Sequence, residues 1–320
     1  MVPRVVAVSL VTALAVGACA PTIEDTRDRL TAGDRGRIAF ATPDTLARTA
    51  DSRLVPAGPV ALSGELTLPG GAGPFPTVVL MHGCGGLGNA EGGWVAPLTG
   101  AGYATFVVDS FTGRGLTEVC RNARALLSLQ RLPDAYGPLR ILATHPRLDA
   151  RRIALMGFSH GGGLTLGAST RWAHDRYTPA AGAAFRAFLP FYPGCSNAYP
   201  ERLSVSAPLR IHIGELDDWT PAAPCQELVE ALRRSGQDAE ITVYPGAHHS
   251  FDNVGRRVTW LPAVDNAAGC TVKSVSILGP VTNVAEVLGC LRKGATLGSS
   301  AAATEQARGN VLGQLSALLR

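Results

Sequence analysis

The sequence predicts an α/β protein built on a mainly parallel, doubly wound sheet with flanking helices. Three observations carry that expectation. Short apolar runs recur at 77–82, 103–108, 152–157, 185–191, 208–213 and 239–244. Helical patterns alternate with them, notably at 117–130, 160–173 and 222–235. Alternation of this kind needs crossover connections, which make neighbouring strands parallel. The third observation is Gly157-Phe158-Ser159-His160-Gly161, directly after the apolar run Ile153-Ala154-Leu155-Met156. A strand, then G-x-S-x-G, then a helix of small residues is the pattern of a turn that holds a serine hydroxyl at a helix N-terminus.

The ends of the chain read differently. Residues 1–19 have a basic start at Arg4, an apolar stretch Val5 to Val16, and the closing run Val16-Gly17-Ala18-Cys19. The apolar stretch is too short to span a bilayer, so it reads as a signal peptide. Its last four residues resemble a bacterial lipobox, with Cys19 as the lipidated residue. The rival is plain secretion, with cleavage after Ala20. Residues 20–50 are polar and read as a tether or lead-in to a single domain at 51–320. Within that domain, 59–68 reads as an early antiparallel strand. The stretch from about Asn253 to Ser300 is irregular. A final helix near 303–319 carries an apolar stripe of Val311, Leu312, Leu315, Leu318 and Leu319.

Composition narrows the class further. Hydrophobic residues make up 46% and charged residues 17%, which supports a sizeable core and excludes general disorder. The net charge of +4 comes from scattered arginines without an aromatic stripe, so a nucleic-acid partner is not indicated. Removing Cys19 leaves six cysteines. In an exported chain they suggest three disulfides. Pairing of neighbours gives Cys84–Cys120, Cys195–Cys225 and Cys270–Cys290. No C-x-x-C pair occurs, and no metal or organic cofactor is implied.

A serine nucleophile needs a base, and the base needs an orienting acid. The strand ending at Ile213 leads into Gly214-Glu215-Leu216-Asp217-Asp218-Trp219-Thr220-Pro221, with two adjacent carboxylates. The strand ending at Tyr244 leads into Pro245-Gly246-Ala247-His248-His249-Ser250-Phe251, with two adjacent histidines. One member of each pair can join the site. The other carboxylate is expected to be solvated or to cap the helix near Ala222. The order Ser, Asp, His is that of α/β-hydrolases. An oxyanion hole is also required. After the strand Thr77–Met81 comes His82-Gly83-Cys84-Gly85-Gly86, which suggests the N–H of Cys84 as one donor and that of His160 as the other. The same segment admits a rival. Gly83, Gly85 and Gly88 spell G-x-G-x-x-G, and Asp109 ends the next strand, as in a dinucleotide-binding fold. Against it, His82 stands where such a fold continues an apolar strand, and 89–94 starts the required helix poorly.

With these motifs assembled, the chain resembles the dienelactone hydrolase family of α/β-hydrolases, from about Pro59 to Phe251. The family's G-x-[CS]-x-G elbow matches 157–161. Its G-x-x-D-x-x-[VT]-P loop matches 214–221 and selects Asp217, and its H-S-F motif matches 249–251 and selects His249. There are departures. Family members that open dienelactones use a cysteine nucleophile checked by a glutamate; here those positions hold Ser159 and Gly83. They also hold a substrate carboxylate with two arginines. Arg114 matches one, and Asn253 stands in place of the other. The resemblance therefore implies ester hydrolysis in general. Ser159 is the nucleophile, His249 the base and Asp217 its orienting acid. Arg114 is a candidate for a substrate carboxylate, and Trp219 is expected beside the site. The resulting expectation is an exported, periplasmic or envelope serine hydrolase acting on a small-molecule ester, attached to a membrane if Cys19 is lipidated. A peptidase, thioesterase or acyl transferase would share the same triad, and a non-catalytic envelope protein could keep the same fold.

Overall fold

The computed structural model describes residues 20–42, 44–179 and 182–320. The expected signal segment and Cys19 lie outside the described residues. Along the chain run β1 (Gly36–Thr42), β2 (Thr45–Arg48), β3 (Leu54–Ala57), β4 (Val60–Thr67), β5 (Phe75–Met81), α1 (Asn89–Gly100) and β6 (Ala104–Asp109). Next come α2 (Leu132–Leu142), β7 (Leu148–Phe158), α3 (His160–Ser169), α4 (Arg171–Tyr177), β8 (Phe185–Phe191) and β9 (Asn197–Ala198). The chain closes with β10 (Leu209–Gly214), α5 (Ala222–Arg234), β11 (Ala239–Tyr244), β12 (Thr259–Asn266), β13 (Val272–Lys273), α6 (Val284–Cys290), β14 (Arg292–Leu297) and α7 (Ala301–Leu318).

Eight strands form one sheet in the order β1-β4-β6-β5-β7-β8-β10-β11. Strands β1 and β4 are antiparallel to their neighbours; the six from β6 to β11 are parallel. The chain moves outward from β5 through α1 to β6, then back across β5 through α2 to β7. Right-handed crossovers in opposite directions put their helices on opposite faces. The central strands are covered on both sides, so they read as continuous apolar runs; Val78 to Met81 and Ile153 to Met156 are all fully buried. The direction reverses between β5 and β7. Ligand sites in such sheets form at this switch point, beyond the carboxyl ends of the strands. Cys84 follows one of these ends and Ser159 the other.

Several expectations are corrected. Residues 20–50 are not a tether. Ile38 and Phe40 of β1 are buried in the core, and β1 pairs in register with β4 from Gly36↔Leu66 to Thr42↔Val60. Leu30 is buried too, and its N–H donates to Thr144 Oγ1 at 2.8 Å. Residues 117–130 do not form a helix. They run as a loop into a 3-10 turn at Ser128–Arg131. The Val119 N–H donates to the Cys84 carbonyl, and the Cys120 carbonyl accepts from Asp265 N–H, both at 2.8 Å. These long-range bonds use groups that a helix would pair internally. The helix at 160–173 is two helices, divided at Thr170, whose hydroxyl accepts from Ala173 N–H and caps α4. The irregular stretch from Asn253 contains an antiparallel pair, β12 with β14.

The three disulfides join Cys84–Cys120, Cys195–Cys225 and Cys270–Cys290, the neighbour pairing expected from the sequence. The stripe of α7 is also as expected, with Val311, Leu315 and Leu319 buried. Among the described residues, no helix is long and apolar enough to cross a membrane.

Candidate active site

Strand β7 runs straight into the turn that carries Ser159. The serine has φ 54° and ψ −110°, a left-handed backbone that a non-glycine residue adopts only at a cost of about 1–3 kcal/mol. The surrounding glycines permit it. A Cβ on Gly157 would collide with the Gly161 carbonyl and the Thr165 hydroxyl; one on Gly161 would collide with the Met81 carbonyl. The Ser159 N–H is anchored to the Phe191 carbonyl at 3.0 Å, and its own carbonyl accepts from Gly163 N–H at 2.8 Å. The hydroxyl is thereby lifted off the sheet at the N-terminus of α3.

His249 and Asp217 come from the loops after β11 and β10. Ser159 Oγ lies 2.8 Å from His249 Nε2, and His249 Nδ1 lies 2.8 Å from Asp217 Oδ2. Both partners are almost fully buried. Asp217 Oδ1 accepts from the N–H groups of Trp219 at 3.0 Å and Thr220 at 2.8 Å. The Thr220 hydroxyl sits 3.0 Å from both Asp217 Oδ2 and His249 Nδ1. Acceptance of several N–H donors fixes the direction of the carboxylate. The imidazole therefore donates from Nδ1 and leaves Nε2 free to accept the serine proton.

The neighbouring residues have other tasks. Asp218 is exposed, as expected, and does not cap the helix: its carboxylate accepts from Thr296 N–H at 2.7 Å and Thr296 Oγ1 at 2.8 Å, tying the acid loop to β14. His248 faces the Leu216 carbonyl at 3.3 Å and is not part of the triad geometry. Trp219 is beside the site, with its ring centroid 4.9 Å from that of His249 and its Nε1–H donating to the Asp265 carbonyl. Arg114 is elsewhere. Its guanidinium is bidentate to buried Asp134 at 2.8 and 2.9 Å and donates to the Ser110 carbonyl, so it is not free to bind a substrate carboxylate. Asp109 holds a turn, accepting from Phe111 and Thr112 N–H groups at 2.9 Å, which removes the ribose-binding reading.

A cavity of about 320 Å³ opens over Ser159. Its lining includes Cys84, His160, Trp219 and Arg124, and also Cys195 and Cys270. Each disulfide thus contributes at least one cysteine to the wall. Both oxyanion candidates, Cys84 and His160, line this cavity. The His160 N–H opens α3 and has no intrahelical acceptor. The Cys84 N–H makes no hydrogen bond among the described residues. The His160 ring is held at both nitrogens: Nδ1 accepts from Arg131 Nη1, and Nε2–H donates to the Leu126 carbonyl, both at 2.9 Å. Burial pushes its pKa down to about 3, so the ring stays neutral. Among the described residues, no group of three or more His, Cys, Asp or Glu side chains is placed to hold a metal ion.

Behind His249 lies a buried polar cluster that the sequence analysis missed. Asp252 accepts from Trp94 Nε1–H and from the Tyr192 hydroxyl, both at 2.7 Å. The Tyr192 ring centroid is 4.7 Å from that of His249. Burial raises Asp252 to about 6 and Glu91 to about 7, the latter also through the nearby Asp252 charge. The only sequence signal was a pair of isolated acids in apolar surroundings.

An elbow serine, a carboxylate and a histidine beyond the carboxyl ends of β7, β10 and β11 of this sheet define an α/β-hydrolase. The chain belongs to the dienelactone hydrolase family, whose model matches residues 62–275. It is 23% identical over 197 residues to a putative carboxymethylenebutenolidase of Methylorubrum extorquens, covering 58% of this chain and 66% of that one. It is 31% identical over 238 residues to a putative phosphoribosyl transferase of Mycobacterium tuberculosis, covering 69% of this chain and 48% of that one. The chain thus spans just under two thirds of the first relative and about half of the second. Among solved structures, a dienelactone hydrolase-like promiscuous phosphotriesterase from metagenomic libraries shares the fold. The TM-score is 0.55 at 16% identity, over 89% of this chain and 100% of that one.

Raised carboxylate pKa values make stability depend on pH. Glu91 keeps its proton in the folded state up to about 7 but loses it near 4.5 when unfolded. Between these values the folded state binds more protons, so stability falls as pH rises. Asp252 acts in the same direction at lower pH. Glu91→Gln is expected to flatten this slope and to gain on the order of 2 kcal/mol relative to the native protein at pH 8. Urea unfolding at pH 5 and pH 8 measures it; an unchanged slope would contradict the assignment.

Proposed function

We propose that this protein is an exported serine hydrolase that cleaves carboxylic esters of small molecules through an acyl-enzyme intermediate. The observation that carries the reading is the continuous pair of 2.8 Å hydrogen bonds from Ser159 Oγ through His249 to Asp217. Ser159 Oγ attacks the ester carbonyl as its proton passes to His249 Nε2. The carbonyl electron pair moves onto oxygen, where the N–H groups of Cys84 and His160 receive it. Collapse breaks the bond to the leaving alkoxide, which takes the proton from His249. Water repeats the sequence on the acyl-enzyme. Asp217 keeps the imidazole in its Nδ1–H tautomer and stabilises the imidazolium. Membership of the dienelactone hydrolase family supports ester hydrolysis.

Export is supported by the three disulfides, which persist in oxidising compartments. The lipobox-like run ending at Cys19 supports anchoring to a membrane, and a cell-envelope or periplasmic location follows from it.

Two experiments test this reading. Native protein under oxidising conditions is expected to hydrolyse p-nitrophenyl esters, with turnover lost in Ser159→Ala. In Asp217→Asn, kcat is expected to fall by about 10⁴. Full turnover in Ser159→Ala would sink the assignment. Expressed from its full sequence in a bacterial host, the protein is expected in the membrane fraction, and Cys19→Ala is expected to release it. Equal partitioning of the two would exclude the anchor.

A further inference from the structure

Arg131 closes the 3-10 turn at Ser128–Arg131 and points into the interior, where it is fully buried. A single nitrogen, Nη1, donates to the His82 carbonyl and to His160 Nδ1, both at 2.9 Å. The guanidinium carbon lies 5.2 Å from the centroid of the Phe111 ring. Its Nε and Nη2 groups have no hydrogen-bond partner among the described residues. The nearby carboxylate of Asp134 is committed to Arg114.

As pure architecture this arrangement is unfavourable. A buried cation with unpaired donors destabilises a fold, and an apolar side chain of similar volume usually serves better. Such a group calls for a functional explanation. The two acceptors supply one. His82 precedes Cys84 by two residues, and His160 directly follows the nucleophile. One guanidinium nitrogen therefore bridges the two segments that offer N–H groups to the oxyanion.

We propose that Arg131 is a positioning residue for the oxyanion hole, clamping the Cys84 loop to His160 and supplying a fixed positive charge to the wall behind them. This rests on the serine-hydrolase reading above. Oxyanion donors are effective only when held about 2.7–3.1 Å from the place where charge develops. A charge in a poorly solvated interior acts over a longer range than one in water. The clamp needs His160 Nδ1 as an acceptor, and the neutral ring provides it. The same segment holds the opposite ring nitrogen through the Leu126 carbonyl, so His160 is gripped from both sides. Arg131 exchanges no proton in the reaction.

The test compares native protein, Arg131→Met, Arg131→Lys, His160→Ala and the Arg131→Met/His160→Ala double variant on p-nitrophenyl acetate. Active sites are counted by fluorophosphonate labelling. In Arg131→Met, kcat per labelled site is expected to fall by about 100-fold with KM changed less than about threefold, as for loss of an oxyanion donor. Arg131→Lys is expected to recover part of this. His160→Ala keeps its backbone N–H but removes the acceptor, so in that background Arg131→Met should have a smaller effect than alone. A merely structural arginine would lower the unfolding midpoint or the labelled fraction and leave kcat per site unchanged; that result overturns the proposal. If Arg131→Met does not fold, unchanged kcat in His160→Ala overturns it instead. No turnover by native protein would overturn the ester-hydrolase reading itself, and the clamp with it.

Discussion

Helix α3 can stand where it does only because three glycines, Gly161 to Gly163, follow His160 in its first turn. Gly161 packs against the carbonyls of Met81 and His82, and Gly162 against that of Phe191. Any Cβ there would push the helix off the sheet. With the glycines, the chain turns from β7 into α3 within one residue, and Ser159 takes the left-handed conformation that the turn demands. The same close approach brings the His160 N–H next to the loop that follows β5. The placement of the proposed nucleophile and that of the proposed oxyanion donors are thus two consequences of one packing constraint. The histidine and acid need only reach this point from the ends of β11 and β10, which the parallel sheet puts on the same edge.

The loop after β5 needs separate support, because its glycines give it little stiffness of its own. Residues 119–131 supply it. Cys120 is bonded to Cys84, the Val119 N–H holds the Cys84 carbonyl, and Arg131 holds the His82 carbonyl. Phe111, Val119 and Leu126 form a small apolar cluster of their own, with Cys84 and Leu116 packed against it. The other two disulfides brace the opposite wall through Cys195 and Cys270. Covalent links around the cavity suit a protein whose site is built mostly from loops, since loops otherwise have low local stability.

The proposed triad was legible because each member directly follows an apolar strand within a short motif. Local sequence was enough there. It failed where the deciding partner is distant. Val119 and Leu126 have helical spacing, yet they are buried in the small cluster against Cys84, and the Ala123 N–H is held by Asp265, 142 residues further on. Arg114 looked available because its partner Asp134 is 20 residues away. The partner of Asp218 was hidden because Thr296 is 78 residues away. Strand β1 was hidden because its alternation covers only Ile38, Phe40 and Thr42 amid charged residues. Arg131 carried no signal at all: a lone arginine among leucines reads as surface until the fold buries it.

The central claim is that Ser159 is an activated nucleophile and not merely a residue in a tight turn. The most direct measurement is treatment of the folded, oxidised protein with a fluorophosphonate, followed by mass mapping of the adduct. The account predicts one adduct per chain, on the peptide that carries Ser159, and none in Ser159→Ala. Absence of an adduct on native protein, or an adduct at another serine, would contradict it.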